Sequence, residues 1–397
     1  MSTVVEPSGA LILGADYRAL GAARSLGRRG VPVHVIAEHA EPLATVSRFS
    51  RHSLRWPVRG ERARVRYLRD LAASHGLEGW ALLPSSDCAA ALVARNHAEL
   101  GRHYRHTTPP WDVLRWAYDK RLTYALAEEL GVPCPRTACA EPDRDLATAE
   151  MSFPAVLKPA VKEEANALVT AKAWRVNDRE ELERRYREAC ALLDPELLIL
   201  QELVSGGGEA QYSYAALCRD GIPLAALTAR RTRQYPAEFG RASTFVETVD
   251  CPEVVEPSRR LLAKLGYTGL IEVEYKRDPR DGVLKLLDMN PRLWGWHTLC
   301  PKAGVDFPWL LWLMVCGRDV PAARARAGVR WLRFTTDTPT ALNELLHRRL
   351  PVREYARSLR RPRASAIFAW DDPLPGVAEL PVLAYVLAQR LLHGEAV

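Results

Sequence analysis

Lysine is scarce in this chain: only eight of its 55 basic residues are lysine, and the first 119 residues contain none. The lysines are Lys120, Lys158, Lys162, Lys172, Lys264, Lys276, Lys285 and Lys302. A lysine offers a compact ammonium charge, whereas arginine offers a planar fork. The four lysines between residues 120 and 172 therefore indicate sites that need such a charge. Surface placement explains Lys162 as well, but Lys158 lies inside the apolar stretch FPAVLKPA.

Long apolar runs are also absent. The longest, FPWLLWLMVCG at 307–317, is about half of what a bilayer span requires, and it predicts a buried helix. The apolar stretch near the N-terminus is short and follows no basic region, which predicts a first strand and not a signal peptide. The eight cysteines form no C-x-x-C pair. This favours reduced thiols in a cytoplasmic protein over a disulfide or zinc framework.

The charge pattern argues against a nucleic-acid partner. The net charge is +7, but arginine and glutamate alternate, as in DREELERRYREAC, which is typical of solvated helix faces. No basic strand studded with aromatic residues occurs. We interpret the charge as mild evidence for an acidic or phosphorylated ligand.

The length of 397 residues predicts two or three domains. GALILG at 9–14, a helical stretch at 17–30 and VPVHVIA at 31–37 predict a βαβ unit that opens a parallel sheet. Gly14 and Gly21 do not complete a G-x-G-x-x-G fingerprint, so we expect a Rossmann-like domain without a bound dinucleotide. TTPPW at 107–111 indicates a boundary.

Both helices and strands are predicted after this boundary. We predict a helix at 119–135, strands at AVLKPA and near 167–176, a helix at 178–193 and a strand at 197–204. A hairpin should turn at Asp220-Gly221. A helix at 253–266 then precedes a second hairpin, GLIEVEYKRDPRDGVLKLLDMN.

This second hairpin carries the polar residues of most interest. With its loop centred on Arg280, Glu274 lies opposite Leu286, Asp288 is its diagonal neighbour, and Asn290 shares their face. Such carboxylates need a positive partner. Lys276 or Arg292 would make a buried ion-pair network, whereas magnesium would use their oxygens as ligands. The hairpin alone favours neither.

The upstream lysines favour a nucleotide. Lys120 and Lys158 would complement the charge of a polyphosphate whose magnesium the hairpin holds. In LILQELVSGGGE a strand ends in a linker whose backbone can bond an adenine edge. Glu209, beyond the glycines, could accept from ribose hydroxyls or be an exposed turn residue.

In this order the motifs resemble the ATP-grasp superfamily, over roughly residues 119 to 320. LLDMNPR is their most specific element, and NPRLWGWH with ARRTRQYP is most similar to the branch of predicted ATP-dependent carboxylate–amine ligases. The resemblance implies an α/β fold with ATP between two lobes. The implied parts are a Rossmann-like domain (1–118), lobe A (119–198), lobe B (199–325) and a C-terminal extension (326–397).

The resemblance also implies residue roles. Lys120 and Lys158 match the phosphate-binding lysines, and Glu274, Asp288 and Asn290 match the magnesium ligands. The adenine linker matches Gln201, Glu202, Leu203 and Val204, with Gln201 or Glu202 near the exocyclic amine, and Glu209 matches the ribose carboxylate. Arg292 matches the arginine that stabilises the acyl phosphate and the moving phosphoryl group, with Lys158 beside it in catalysis.

Two departures from the family pattern stand out. The family has a glycine-rich lid after its second lysine, but no glycine occurs between Val132 and Ser205. AVKEEANALVTAK would have to serve, with Lys162 or Lys172 as the phosphate contact. Asp288 stands where glutamate is commoner.

The expected reaction is ATP-dependent ligation of a carboxylate to an amine, or to a thiol, through an acyl phosphate. ATP and Mg²⁺ (or Mn²⁺) would be needed, with small carboxylic acids and amines as partners, no nucleic acid or membrane, and a homodimer possible. A small-molecule kinase on the same fold is the alternative. A biotin-dependent carboxylase subunit is less favoured because no Met-Lys biotinylation motif occurs.

Several residues are candidates for substrate contacts. Arg230, Arg231, Arg233 and Arg241 precede the second hairpin, and alternation predicts that Arg231 and Arg233 share a face; they could clamp a carboxylate or form a solvated basic surface. Trp294, Trp296 and His297 could line an acceptor pocket, with His297 as a general base. Both tryptophans fit a core position somewhat better.

Overall fold

The structure is a computed structural model. It describes residues 6–384 except 38–41, 58, 141–145, 162–167, 169–172, 236–239, 241, 349, 361–362 and 382–383. Lys162, Lys172 and Arg241 therefore lie outside the described residues. In the described part of the chain, no helix combines the length and apolar character that a membrane span needs.

A parallel four-stranded sheet forms the N-terminal part. Its strands are β1 (Ala10–Leu13), β2 (Val33–Ala37), β3 (His52–Arg55) and β4 (Ala81–Pro84), in the order β3-β2-β1-β4. The helices are α1 (Tyr17–Gly27), α2 (Glu61–Ser74), α3 (Asp87–Arg95) and α4 (His97–Leu100), with a 3-10 turn at Leu43–Val46. The predicted βαβ unit is confirmed.

A smaller antiparallel sheet follows. Its strands are β5 (Thr137–Cys139), β6 (Ala155–Pro159), β7 (Trp174–Val176) and β8 (Leu198–Glu202), in the order β5-β8-β6-β7. Helices α5 (Trp111–Tyr118) and α6 (Lys120–Glu129) precede it, and α7 (Arg179–Cys190) lies within it along the chain. Further 3-10 turns are Leu146–Thr148 and Pro195–Leu197. The elements predicted for this segment are present, with shorter bounds.

The third sheet has seven strands. They are β9 (Gln211–Arg219), β10 (Ile222–Tyr235), β11 (Ala242–Thr248), β12 (Gly269–Arg277), β13 (Leu284–Asn290), β14 (Arg330–Leu332) and β15 (Arg363–Ser365), in the order β13-β12-β9-β10-β11-β14-β15. The remaining helices are α8 (Pro252–Lys264), α9 (Cys300–Ala303), α10 (Phe307–Val315), α11 (Phe334–Leu346) and α12 (Val352–Leu359), with 3-10 turns Gly208–Ala210 and His297–Leu299. Two strands beyond residue 325 thus join this sheet.

The turn between β9 and β10 follows from its sequence. Asp220 and Gly221 both have positive φ, at 50° and 79°, as a two-residue type I′ turn requires. Asn, Asp and Gly tolerate this backbone region best. The hairpin predicted at this dipeptide is confirmed.

The two faces of the large sheet differ in character. On one face Ile271, Val273 and Tyr275 pack into an apolar cluster with residues of α6 and α8. On the other face β12 presents Glu272 and Glu274 instead, and further along the sheet this face joins the core of the N-terminal domain. Helix α10 is buried in that core, as its apolar run predicts.

Candidate active site

A cleft lies between the small sheet and the polar face of the large one. It encloses about 710 Å³ of empty space, including the solvent at its mouth. Its walls are formed by Lys120, Val156, Lys158, Pro159, Ala173, Gln201, Glu202, Leu203, Val204, Gln211, Glu274, Lys276, Leu287 and Asp288. Both predicted phosphate-binding lysines and two of the predicted magnesium ligands therefore face one space.

The pairing of β12 with β13 sets the geometry of the acidic groups. Glu274 lies directly opposite Asp288, and Glu272 lies opposite Asn290. The predicted register, with Glu274 opposite Leu286, is wrong because Leu286 pairs with Tyr275. An irregularity at this point leaves Leu287 as an extra residue, which is a β-bulge. The predicted convergence of Glu274, Asp288 and Asn290 is nevertheless present.

Two carboxylates of this hairpin, Asp288 and Glu274, each have a buried cation beside them. The Lys120 ammonium lies 2.5 Å from Asp288, and the Arg231 guanidinium lies 3.1 Å from Glu274. The sequence-based alternative of a buried ion-pair network named Lys276 or Arg292 and did not include Lys120 or Arg231. Arg231 also donates to the carbonyl oxygen of Gly240. These pairs neutralise charge that would otherwise repel across the hairpin.

Asn290 lies among three charged groups. Its amide nitrogen donates to Glu272 at 3.2 Å and to Glu274 at 3.1 Å, and its amide oxygen accepts from Arg292 at 2.9 Å. Glu272 also accepts from Ser213 and from the indole of Trp296. Burial and the neighbouring Glu274 raise the pKa of Glu272 to about 7. Sequence reasoning did not assign Glu272 a site role, although its alternation with Glu274 placed both on one face.

Lys158 is held between the small sheet and α6. Its ammonium donates to the side-chain oxygen of Gln201 at 2.7 Å and to the Tyr124 hydroxyl at 3.0 Å. The Gln201 amide nitrogen in turn donates to Thr137. Strand pairing explains the contact, because Lys158 and Gln201 occupy the neighbouring strands β6 and β8. Both side chains are thereby aimed at the cleft.

The linker after β8 lines the cleft with Leu203 and Val204, but the Glu202 side chain is otherwise engaged. Its carboxylate accepts from Lys285 at 2.9 Å and from Arg280 at 3.1 Å. Burial raises the pKa of Glu202, but these hydrogen bonds outweigh it and hold the pKa below its ordinary value. Glu209 is exposed and accepts from the Gly207 amide. This geometry agrees with the second alternative considered for Glu209, an exposed turn residue.

Arg292 connects the hairpin to the N-terminal domain. Its guanidinium donates to both oxygens of Asp87, at 3.0 and 3.2 Å. Asp87 begins α3 directly after β4, and Ser86 caps that helix by accepting from Ala89. Asp87 was missed by sequence reasoning. Its signal was a Ser-Asp pair at the carboxyl end of a buried strand, where sites of parallel sheets form.

Comparison with known proteins agrees with this geometry. Residues 197–335 match the family model described as ATP-grasp in the biosynthetic pathway with Ter operon. This stretch of the chain is similar to the ATP-grasp family. Among solved structures, an L-amino acid ligase from Bacillus licheniformis aligns with 16% identity and a TM-score of 0.61, covering 78% of this chain and 76% of that one. An N5-carboxyaminoimidazole synthetase from Staphylococcus aureus aligns with 12% identity and a TM-score of 0.63, covering 87% of each chain.

Curated relatives share part of the sequence. The D-alanine–D-alanine ligase of Pseudomonas entomophila is 28% identical over 210 residues, which are 49% of this chain and 62% of that protein. A carbamoyl phosphate synthase large chain of Thermus thermophilus is 27% identical over 220 residues, 53% of this chain and 20% of that protein. This chain therefore spans less than two thirds of either relative. The α/β ATP-grasp fold predicted from the sequence is confirmed.

The hairpin of β12 and β13 offers ligand atoms that suit magnesium. Glu274, Asp288 and Asn290 offer two carboxylates and an amide, all oxygen ligands of the kind that this ion prefers. Among the described residues, no group of three or more His, Cys, Asp and Glu side chains is arranged to hold a metal. Magnesium at nucleotide sites usually takes phosphate oxygens and waters as its other ligands.

The structure corrects three substrate candidates. Trp294 is fully buried in the core, and His297 is 1% exposed, with its Nε2 donating to the Arg18 carbonyl oxygen. Neither lines an open pocket, and burial lowers the pKa of His297. Trp296 is core as well, as the sequence favoured.

Arg233 is the third correction. It forms an ion pair with the buried Asp337 at 2.7 Å and lies over the ring of Phe245. Pairing between β10 and β11 is irregular at Arg231 and Arg233. The two arginines therefore do not share one face of the sheet, although strand alternation predicted that they would. Arg231 contacts Glu274, which lines the cleft.

Proposed function

We propose that this protein is an ATP-dependent carboxylate–amine ligase that works through an acyl phosphate and releases ADP and phosphate. One observation carries the proposal: Lys120, Lys158, Glu274 and Asp288 line a single cleft between two lobes. Ammonium groups opposite paired carboxylates suit a polyphosphate with its magnesium. The linker Gln201–Val204 would hold adenine, with Glu209 near the ribose.

The lysines would exchange partners when ATP binds. Lys120 now neutralises Asp288, and Lys158 now donates to Gln201 and Tyr124. Phosphate oxygens would replace these acceptors, so that both ammonium groups neutralise the nucleotide and Asp288 is released as a ligand. Magnesium, held by Glu274, Asp288 and Asn290, would supply neutralisation of the phosphate charge. Positioning and electrostatic stabilisation account for most catalysis of this kind.

Arg292 would stabilise the transferred phosphoryl group and the acyl phosphate. Asp87 and Asn290 engage its guanidinium from two sides, which fixes its direction before substrate arrives. A preorganised cation costs little reorganisation in the transition state. The acyl phosphate hydrolyses readily, so closure of the two lobes around it would serve to exclude water.

The substrates we propose are an amino-acid-like carboxylic acid and a small amine. Support comes from relatives that are named as ligases of D-alanine and of L-amino acids. Arg231, buried beside Glu274, would lie on the substrate side of the site. A homodimer and a cytoplasmic location remain predictions from the sequence.

The test is ADP release with Mg²⁺ and hydroxylamine, over a panel of amino acids and other small carboxylic acids. Hydroxylamine traps an acyl phosphate as a hydroxamate. We expect acid-dependent ADP release with a matching hydroxamate. The Asp288→Asn variant should lose both by roughly 100-fold or more, since it removes a charged magnesium ligand. Asp70→Asn, at an exposed carboxylate outside the cleft, is the matched control.

The remaining outcomes discriminate among functions. ADP release with a stable phosphorylated product and no hydroxamate would establish a small-molecule kinase. Failure of wild type to bind ATP at all would contradict the proposed use of this cleft.

A further inference from the structure

The Tyr124 hydroxyl joins two parts of the cleft that come from different sheets. It donates to the carbonyl oxygen of Leu287 at 2.7 Å and accepts from the Lys158 ammonium at 3.0 Å. The side chain is 3% exposed. Tyr124 lies on α6 one turn beyond Lys120, whose ammonium bonds Asp288. One helix face therefore contacts the hairpin at two adjacent residues.

Leu287 is the extra residue of the β-bulge in β13. The bulge leaves Glu274 opposite Asp288, so the path of the backbone at Leu287 determines where the carboxylate of Asp288 lies. Bulges commonly re-aim a side chain near an active site. A hydrogen bond to the Leu287 carbonyl therefore acts on the direction of the Asp288 carboxylate.

The hydroxyl is suited to both contacts at once. A phenol can donate one hydrogen bond and accept others. Burial, together with the negative charge of Asp288, raises the pKa of Tyr124 far above its ordinary value, so the group stays neutral. The Lys158 ammonium also lies 5.3 Å from the centre of the Tyr124 ring. Tyr124 thus constrains Lys158 through the ring as well as the hydroxyl.

We propose that Tyr124 is a positioning residue that couples the phosphate-binding Lys158 to the metal-binding hairpin. The inference rests on the proposed function, because it assumes that nucleotide and magnesium bind in this cleft. Tyr124 touches neither reacting group. It sets the distance between the ammonium of one lobe and the carboxylates of the other.

The variant that tests this is Tyr124→Phe, which removes the hydroxyl and keeps the buried ring. Tyr104→Phe is the matched control, because Tyr104 is equally buried and its hydroxyl donates to the Leu68 carbonyl oxygen, also at 2.7 Å, in the N-terminal domain. Both variants lose one hydrogen bond to a backbone carbonyl. Only Tyr124→Phe removes one beside the cleft.

Three measurements follow: ADP affinity by titration calorimetry, its dependence on Mg²⁺ concentration, and amide hydrogen exchange of residues 284–290. For Tyr124→Phe we expect about tenfold weaker ADP binding, a higher Mg²⁺ requirement, and faster exchange in this segment. Turnover should fall by roughly 10- to 100-fold, since small misplacements of positioned groups are costly. Tyr104→Phe should match wild type in all of these.

A second variant separates the two contacts of the Tyr124 hydroxyl, the one with Lys158 and the one with Leu287. Lys158→Met should weaken ADP binding without changing exchange at 284–290, because the Tyr124 bond to Leu287 remains. If Tyr124→Phe lowers the unfolding temperature but leaves ADP affinity, Mg²⁺ dependence and exchange unchanged, its role is structural and the inference is wrong. If wild type binds no ADP in the presence of Mg²⁺, the proposed function itself fails, and the inference fails with it.

Discussion

At the scale of single residues, cations of the protein neutralise two carboxylates of the site. The Lys120–Asp288 and Arg231–Glu274 pairs are almost fully buried, so neither carboxylate is left uncompensated without ligand. Leaving one partner of such a pair alone is strongly destabilising. A cation that binds the hairpin must therefore compete with cations of the protein itself.

This competition gives a prediction for Lys120→Met. Removing the ammonium takes away the buried charge that compensates Asp288, so the free energy of unfolding should fall by about 3 kcal/mol. Millimolar Mg²⁺ without nucleotide should raise the unfolding temperature of the variant more than that of wild type, because ligand binding stabilises the folded state. Thermal unfolding with and without MgCl₂ measures both effects.

The control for that measurement is Lys264→Met, at a lysine that pairs with Glu129 on the surface. It should behave as wild type, since exposed pairs contribute little. Equal Mg²⁺ shifts in wild type and Lys120→Met would show that Lys120 and the metal do not share Asp288.

At the scale of elements, an ionic cluster ties the end of β8 to the hairpin of β12 and β13. Lys285 on β13 contacts Glu202 at 2.9 Å and Asp278 at 2.9 Å. Arg280 in the hairpin loop contacts the same two carboxylates. The linker that we propose to hold adenine thus begins at Glu202, which residues of the β12–β13 hairpin hold in place.

A double-mutant cycle on Glu202→Gln and Lys285→Met tests this tie. We expect each variant to raise the KM for ATP, and the double variant to add little, with a coupling of about 1 kcal/mol. The cause is that either change alone breaks the same contact. Steady-state kinetics with varied ATP measures the cycle.

The same experiment checks the sequence-based role of Glu202 near the exocyclic amine. If that carboxylate contacts adenine, Glu202→Gln alone should alter discrimination between ATP and GTP. Additive effects in the cycle together with such a change would contradict the structural tie and favour the direct contact.

At the scale of the whole molecule, the segment after β15 docks on the N-terminal domain. Asp372 accepts from Arg24, from the Ser47 hydroxyl and from the Arg48 amide, and it is 2% exposed. Its neighbour Asp371 pairs with Arg28 where both side chains are nearly half exposed. Two adjacent aspartates thus make a buried and an exposed contact with the same helix.

Substitution of these neighbours should separate the two contacts. Asp372→Asn should destabilise the protein by about 3 kcal/mol because it leaves Arg24 buried without a charged partner. Asp371→Asn should cost under about 1 kcal/mol. Denaturant unfolding at neutral pH compares them, and equal losses would contradict the assignment.

The effect should also depend on pH. Burial raises the pKa of Asp372, but its hydrogen bonds and Arg24 outweigh this and hold the pKa below its ordinary value of 3.8. A lowered pKa means that the folded state favours the ionised form. The stabilisation is therefore present above about pH 4 and is lost as the pH falls through the folded value. The difference between wild type and Asp372→Asn should shrink as the pH is lowered below 4.

The sequence by itself determined the local elements and the order of the site motifs. Periodicity and turn residues act over short distances, which is why the βαβ unit, the Asp220-Gly221 hairpin and the polar end of β13 could be predicted. The order of Lys120, Lys158 and the Asp288–Arg292 stretch was enough to predict the ATP-grasp fold.

Only the tertiary structure decided which groups meet. Asp87 and Arg292 are 205 positions apart, and Lys120 and Asp288 are 168 apart. No local pattern encodes such contacts, because they depend on how the sheets pack. The bulge at Leu287 shifted the register that simple alternation predicted, and core packing took Trp294 and His297 out of the candidate pocket. At such positions packing overrides the local pattern, because burying a large side chain contributes more free energy than a local sequence preference does.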